Sequence, residues 1–123
     1  RLIEIDPENA HAYNALGYTL ADKTDRLTEA LELIEKALAL LPGDPFILDS
    51  LGWVHYRRGD LDLALEYLQL AMDQRPDAEI AAHLGEVLWQ LGDKEQAITA
   101  WQNGRQNDPD NSILNDTMRK FGQ

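Results

Sequence analysis

The side chains that could perform catalysis are few, and their spacing does not form a catalytic motif. The chain of 123 residues contains three histidines, His11, His55 and His83, and two serines, Ser50 and Ser112. Zinc binding and nucleophilic catalysis need several such groups at short, defined spacings, as in His-Glu-x-x-His or a serine on a sharp strand-to-helix turn. Neither motif occurs, and no glycine-rich phosphate loop is present. The sequence therefore predicts a protein that is not an enzyme and that uses no metal or cofactor.

Composition limits the partners that the chain can bind. It has 22 acidic and 11 basic side chains, a formal net charge of −11 at pH 7. This acid excess argues against nucleic acid, because phosphate binding requires a basic surface. No stretch approaches the roughly 18 apolar residues that a membrane span requires, so direct membrane insertion is not expected. The scattered carboxylates are interpreted as a solvated surface, and the expected partner is a protein or peptide.

One unit is repeated along the chain, and it is marked by small residues. Gly17, Gly52 and Gly85 each follow a leucine, and the glycines are 35 and 33 residues apart. Further small residues and a proline recur in the same register at Ala30, Ala64 and Ala97, at Ala37, Ala71 and Gly104, and at Pro42, Pro76 and Pro109. Such a period indicates a repeat protein. Gly104 stands where the other units have alanine, and we expect it to loosen the final helix pair.

Each unit has the pattern of two helices joined by a turn. Apolar residues recur at helical spacing between the prolines, which stop each second helix. Gly59-Asp60 and Gly92-Asp93 are typical of a turn in which glycine ends one helix and aspartate caps the next. Capping residues also precede the first helices, at Asn9, Asp44, Asp77 and Asn111. The predicted helices cover residues 10–22, 27–41, 45–58, 61–74, 78–91, 94–106 and 111–121.

These glycines, alanines and prolines resemble the tetratricopeptide repeat (TPR) pattern, whose unit has 34 residues. The resemblance implies an all-α fold, a right-handed α-solenoid of antiparallel helix pairs with about three repeats and a C-terminal capping helix. The predicted segments are the end of a preceding, truncated repeat (1–9), TPR units 1, 2 and 3 (10–43, 44–77 and 78–110) and the capping helix (111–123). Unit 1 lacks the turn glycine, so we expect a slightly altered turn there.

The TPR resemblance also implies where a partner binds. In that family the first helix of each unit lines a concave face that holds peptides or partner helices. Counting from the aligned glycines places these residues on the face: His11, Asn14, Tyr18, Asp22, Phe46, Asp49, Trp53, Tyr56, Arg57, Glu79, His83, Glu86, Trp89 and Gln90. The expected function is a non-catalytic protein–protein interaction scaffold. The alternative is a module for self-association or assembly, without a free peptide ligand.

Four aromatic residues are the predicted anchors of the partner. Tyr18, Trp53, Tyr56 and Trp89 are expected on one surface, and large rings with a polar edge often dominate the energy of protein interfaces. The acidic residues of the same face would favour a ligand with an apolar stripe and some basic residues. The alternative is that the rings pack between adjacent units. Trp101, on a second helix, is predicted to lie in the core.

A narrower resemblance concerns the amino-acid sequences of three segments within the repeats. Residues 14–22, 47–54 and 81–89 are similar to the C-terminal repeats of proteobacterial TPR lipoproteins of the LbcA type. Those proteins are periplasmic adaptors, anchored in the outer membrane, that bring substrates to a carboxyl-terminal processing protease. The resemblance implies a location at the periplasmic face of the outer membrane; without it, a cytoplasmic location is expected. TPR domains that bind a partner's C-terminal carboxylate use lysine, arginine and asparagine on their first helices. The first helix of unit 3 has neither lysine nor arginine, so this mode of binding is not expected.

Overall fold

The structure is a computed structural model that describes residues 7–123, and these residues form seven α-helices. Their bounds are α1 (Ala10–Lys23), α2 (Leu27–Leu40), α3 (Pro45–Arg57), α4 (Leu61–Gln74), α5 (Ala78–Gln90), α6 (Lys94–Asn107) and α7 (Ser112–Lys120). The predicted all-α class is confirmed. The proposed end of a preceding repeat falls mostly on residues 1–6, which lie outside the described residues.

Six of the seven described helices, all but α2, begin where the sequence places capping side chains. Asp44 Oδ1 accepts hydrogen bonds from the backbone N–H of Phe46 (2.9 Å) and Ile47 (3.1 Å), and Pro45 occupies the first helical position. Such a cap satisfies amides that have no partner within the helix. The side chains of the other predicted caps, Asn9, Asp60, Asp77, Asp93 and Asn111, also accept from one or two backbone amides of the first turn.

The turn within the first helix pair differs from the other two. Gly59 and Gly92 adopt φ values of 89° and 93°, a backbone conformation that favours glycine. In the first pair, Thr24 is extended instead, and its hydroxyl donates to Leu20 O (2.6 Å) and accepts from Arg26 N–H (3.0 Å). The expectation of an altered turn in unit 1 is therefore confirmed, and a threonine side chain replaces the turn glycine.

The glycines within the helix pairs are required by close contact. A Cβ added at Gly52 would lie 2.6 Å from Leu68 Cγ, and one at Gly85 would collide with the indole of Trp101. Trp101 is fully buried, as predicted, and donates from Nε1 to Ala82 O (3.2 Å). At Gly104 a Cβ would lie 2.7 Å from the Cβ of Ala81. The expectation that Gly104 loosens the last pair is therefore wrong, since it allows the helices to approach closely.

The pairs stack so that one helix of each lies in a common row. Helices α1 and α2, α3 and α4, and α5 and α6 form the pairs, while α3 also contacts α1, α5 contacts α3, and α7 contacts α5. The row of α1, α3, α5 and α7 is called the inner row here. Its central helices are the most buried, with every residue from 47 to 54 and from 80 to 88 inaccessible to solvent or nearly so. None of the helices in residues 7–123 is long and apolar enough to cross a lipid bilayer.

Candidate functional site

Equivalent positions of the four inner-row helices meet around one cavity. The ninth residues of α1, α3, α5 and α7 are Tyr18, Trp53, Glu86 and Lys120. All four line a cavity of about 390 Å³, which we call the inner cavity. Its other lining residues are Asp22, Lys23, His83, Ile113, Asp116 and Thr117. The repeat therefore brings together residues that lie more than 100 positions apart in the sequence.

The aromatic wall of the inner cavity is held in place by hydrogen bonds. Trp53 is only 7% exposed, and its ring stacks on the imidazole of His83 with a centroid distance of 4.3 Å. Its indole N–H donates to Asp22 Oδ1 (3.2 Å), which ties α3 to α1. The hydroxyl of Tyr18 lies 3.2 Å from His83 Nε2. Helices α1, α3 and α5 thus position these side chains, and the wall is preformed.

A buried ion pair lies behind this wall. His83 Nδ1 is 2.8 Å from Asp49 Oδ1, and both side chains are at most 4% exposed. A carboxylate can only accept, so Nδ1 of His83 carries a proton. Burial lowers the pKa of His83, but the charge and hydrogen bond of Asp49, with the charges of Glu79 and Glu86, outweigh it and raise that pKa above its ordinary value. Burial also raises the pKa of Asp49. Both groups of the pair therefore lose a proton at a higher pH than a free aspartate or a free histidine would.

The inner face carries a concentration of negative charge. Burial raises the pKa of the Tyr18 hydroxyl, and four neighbouring carboxylates raise it further: Asp22, Glu79, Asp49 and Glu86. Within the described residues, two lysines approach these groups. Lys120 Nζ lies 3.2 Å from Glu86 Oε2, and Lys23 Nζ lies 3.4 Å from Asp22 Oδ2. With Asp49 paired to His83, the carboxylates of Asp22, Glu79 and Glu86 outnumber the two lysines, so the local field favours a positively charged ligand.

Two further side chains of α3 link the inner row without entering the cavity. The Tyr56 hydroxyl donates to Glu86 Oε2 (2.8 Å), and Arg57 Nε donates to the carbonyl oxygen of Ala21 (2.9 Å). Burial, together with the hydrogen bond to Glu86, raises the pKa of Tyr56. Tyr56 and Arg57 therefore connect α3 to both neighbouring helices, and with Gln90 they line a second cavity.

Trp89 lies apart from the other predicted anchors. It is the twelfth residue of α5, as Tyr56 is of α3. Its ring lies 5.8 Å from Trp101 and 5.4 Å from Phe121, and Lys94 Nζ is 4.9 Å from its centre. The expectation that four rings share one surface is therefore wrong for Trp89, because the capping helix α7 packs beside it. The contacts of Trp53 and Trp89 agree with the alternative of packing between units, although Trp53 also lines the inner cavity.

The remaining predicted residues lie outside the inner cavity. His11 is exposed, and Glu79 is half-buried near the start of α5. The ring of Phe46 is half-buried, and the guanidinium carbon of Arg75 lies 5.3 Å from its centre. Asn14 has a buried Oδ1 that finds no hydrogen-bond partner within residues 7–123. Of the predicted set, the structure thus gathers Tyr18, Asp22, Trp53, His83 and Glu86, with Asp49 behind them.

Sequence reasoning missed the contribution of α7. Ile113, Asp116, Thr117 and Lys120 line the inner cavity, although the capping helix was assigned no binding residues. The spacing of the capping residues in the sequence could have identified the binding residues of α7. Asn111 follows Asp77 by 34 residues, so counting nine residues into α7 identifies Lys120 as the equivalent of Glu86.

Comparisons with known proteins agree with this architecture. The family model described as tetratricopeptide repeat matches residues 1–45 and 50–112. The TPR repeat-containing protein PA4667 of Pseudomonas aeruginosa is 59% identical over 85 residues, which make up 69% of this chain and 14% of that protein. The chain thus spans about one seventh of the length of this relative.

Solved structures show the same fold at low sequence identity. The Sgt2 TPR domain from Aspergillus fumigatus has a TM-score of 0.78 at 19% identity, over 94% of this chain and 77% of that one. The first TPR of Spaghetti (RPAP3) bound to the HSP90 peptide SRMEEVD has a TM-score of 0.79 at 18% identity, over 97% of both chains. The predicted solenoid of stacked helix pairs is confirmed by these matches.

Proposed function

The chain belongs to the tetratricopeptide repeat family, and from this membership we propose that it is a non-catalytic scaffold that binds a peptide or helix of a partner on its inner face. TPR folds are in general protein–protein interaction modules, and one neighbour of the same fold is bound to a peptide. The observation that carries the proposal is the inner cavity of about 390 Å³, to which all four inner-row helices contribute and whose lining combines rings, carboxylates and two lysines.

The state of the polar groups favours binding over catalysis. His83 is paired with Asp49 and Tyr18, Asp22 accepts from Trp53, and Glu86 accepts hydrogen bonds from Tyr56 and Lys120. Groups that are paired in this way stabilise a fixed surface. A preformed surface loses little conformational entropy on association, which favours affinity.

The charge of the inner face suggests a ligand unlike the one bound by the fold neighbour. The peptide SRMEEVD contains two glutamates and one aspartate. The inner face of this chain is itself acidic around Tyr18, so an acid-rich peptide would be repelled. A ligand with apolar and basic side chains is the better complement.

The wider role that we propose rests on the sequence resemblance to proteobacterial TPR lipoproteins. In that role the chain is part of an adaptor at the periplasmic face of the outer membrane, and it contributes to delivering substrates to a carboxyl-terminal processing protease. The identity of 59% to a TPR protein of Pseudomonas aeruginosa supports a bacterial origin of the repeats. Fractionation of cells that carry the full parent protein would test the compartment: recovery with the outer membrane supports the role, and recovery in the cytosol contradicts it.

The binding function can be tested with the chain alone. Short random peptides displayed on phage would be selected against the immobilised chain, and their affinities measured by fluorescence anisotropy. We expect Tyr18→Ala to weaken binding about tenfold or more, because it removes one wall of the inner cavity. Glu66→Gln, at an exposed position of α4, is the matched control and should leave affinity unchanged.

Two outcomes would contradict the binding function. The first is a chain that retains no peptide. The second is a molar mass that doubles with concentration in light scattering, which would favour self-association through the same face. Circular dichroism of Tyr18→Ala would establish that the variant remains folded, so that a loss of affinity is a loss of contacts.

A further inference from the structure

Among the features of the inner face, the inner cavity is the one whose chemistry specifies a ligand group. Its volume of about 390 Å³ lies at the lower end of the range for small-ligand sites, about 300–1,000 Å³. It therefore suits one side chain better than a length of peptide. We propose that the inner cavity binds a cationic side chain, an arginine or lysine, presented by the partner. This inference rests on the proposed function and adds the chemical class of its ligand.

Carboxylates line the cavity from three different helices. Asp22 belongs to α1, Glu86 to α5 and Asp116 to α7. Within the described residues both donors to Glu86, Tyr56 and Lys120, reach Oε2, which leaves Oε1 for an incoming donor. Asp22 uses Oδ1 for Trp53, while its Oδ2 lies 3.4 Å from the exposed Lys23. Asp116 Oδ1 accepts from the exposed Arg119. Each carboxylate therefore already has an exposed cation of the chain beside it, and an incoming guanidinium or ammonium group would take that cation's place.

The aromatic side chains complement the rest of such a ligand. Arginine and lysine place an apolar stem behind a charged head, and the stem is stabilised against apolar surface. Tyr18 and Trp53 form a wall beside the carboxylates, and Ile113 of α7 extends it. A neutral apolar side chain would make no use of the carboxylates, and an acidic one would be repelled.

The chain already holds a cation of its own at this site. Lys120 Nζ is 3.2 Å from Glu86 Oε2, while the lysine side chain is 62% exposed and that of Glu86 is 8% exposed. This contact shows that an ammonium group fits beside Glu86. An ion pair with one exposed partner is worth little, so a ligand with better contacts can displace Lys120. Lys120 is therefore a competitor of the incoming cation.

The test uses short random peptides selected on the intact chain, and then resynthesised with citrulline in place of each arginine and norleucine in place of each lysine. We expect one position enriched in arginine or lysine, and about a tenfold loss of affinity when that position is made neutral. Glu86→Gln should cause a loss of similar size and still offer an oxygen to Tyr56. Asp62→Asn, at an exposed position of α4, is the control.

The competing lysine provides an independent readout. Lys120→Ala should strengthen binding of the cationic peptides, because it removes a rival charge, whereas a merely structural role for Lys120 would weaken binding or leave it unchanged. Selected peptides that are acidic, or that tolerate citrulline and norleucine, would overturn the cation site. If those peptides are still weakened by Tyr18→Ala, the proposed function stands without the cation site. If no peptide binds, the proposed function fails and the cation site fails with it.

Discussion

Two adjacent positions of the inner-row helices behave in opposite ways. The eighth residue of α1, α3 and α5 is always glycine, at Gly17, Gly52 and Gly85. The ninth residue is different each time: Tyr18, Trp53 and Glu86. The eighth position faces the paired outer helix and has no room for a side chain, whereas the ninth lines the inner cavity. Positions that repeat thus form the fold, and positions that vary give the inner face its chemistry.

Helix α7 supports this distinction because no helix among residues 7–123 is paired with it as an outer partner. Its eighth residue is Arg119, which is exposed and pairs with Asp116 on the same helix. No described helix packs behind α7 as α6 packs behind α5, so the requirement for glycine disappears. Its ninth residue, Lys120, still lines the inner cavity. In α7 the ninth residue therefore still lines the inner cavity, whereas the eighth is no longer a glycine packed against an outer helix.

The largest effect is expected from filling the packing position. Gly85→Leu should cost on the order of 5 kcal/mol or more and abolish cooperative unfolding of the last pair, because the fully buried indole of Trp101 occupies the space. Urea unfolding followed by circular dichroism measures the change.

A matched substitution distinguishes the effect of steric contact with the paired helix from the effect of backbone strain. Gly59, unlike Gly85, has a positive φ, and no atom lies within 4 Å of an added Cβ. Gly59→Leu should therefore cost only about 1 kcal/mol, from strain in the turn. Equal losses at Gly85 and Gly59 would show that close contact between the paired helices is not the reason for the glycine.

A smaller effect is expected from the ion pair behind the aromatic wall. Asp49→Ala should destabilise the chain by about 3 kcal/mol, because it leaves a buried His83 without its partner. Glu79→Ala, which removes a half-buried carboxylate of the same face, is the comparison and should cost clearly less. Thermal or urea unfolding gives both values, and an Asp49→Ala loss no greater than that of Glu79→Ala would contradict a structural role for the pair.

The smallest effect concerns pH. The pKa of His83 is raised in the folded chain, so the ion pair contributes its full stability below the ordinary value of 6.5 and loses it as the pH rises through the folded value. Each unit of upward shift is worth about 1.4 kcal/mol. We expect the free energy of unfolding to fall as the pH rises above 6.5 through the raised folded pKa of His83, and this fall to disappear in His83→Gln. An identical pH profile in both proteins would remove His83 as its cause.

The sequence was sufficient for the fold because the constraint on packing is local and repeated. Glycine at the eighth position, capping residues and turn glycines each have one physical reason, and the same reason applies in every unit. The site was predicted only in part. Trp89 could not be separated from Tyr56 by its position, because the two are equivalent. What differs is the next helix, which is the buried α5 for Tyr56 and the capping helix α7 for Trp89.

The central claim is that the ninth positions of the inner row contact the partner. The most direct measurement is the change in backbone and indole N–H chemical shifts when a selected peptide is titrated into the isotope-labelled chain. The account predicts that the largest changes fall on Tyr18, Trp53, Glu86 and Lys120 and on the Trp53 indole, with little change on α2, α4 and α6. Changes concentrated on those outer helices, with the Trp53 indole unmoved, would contradict it.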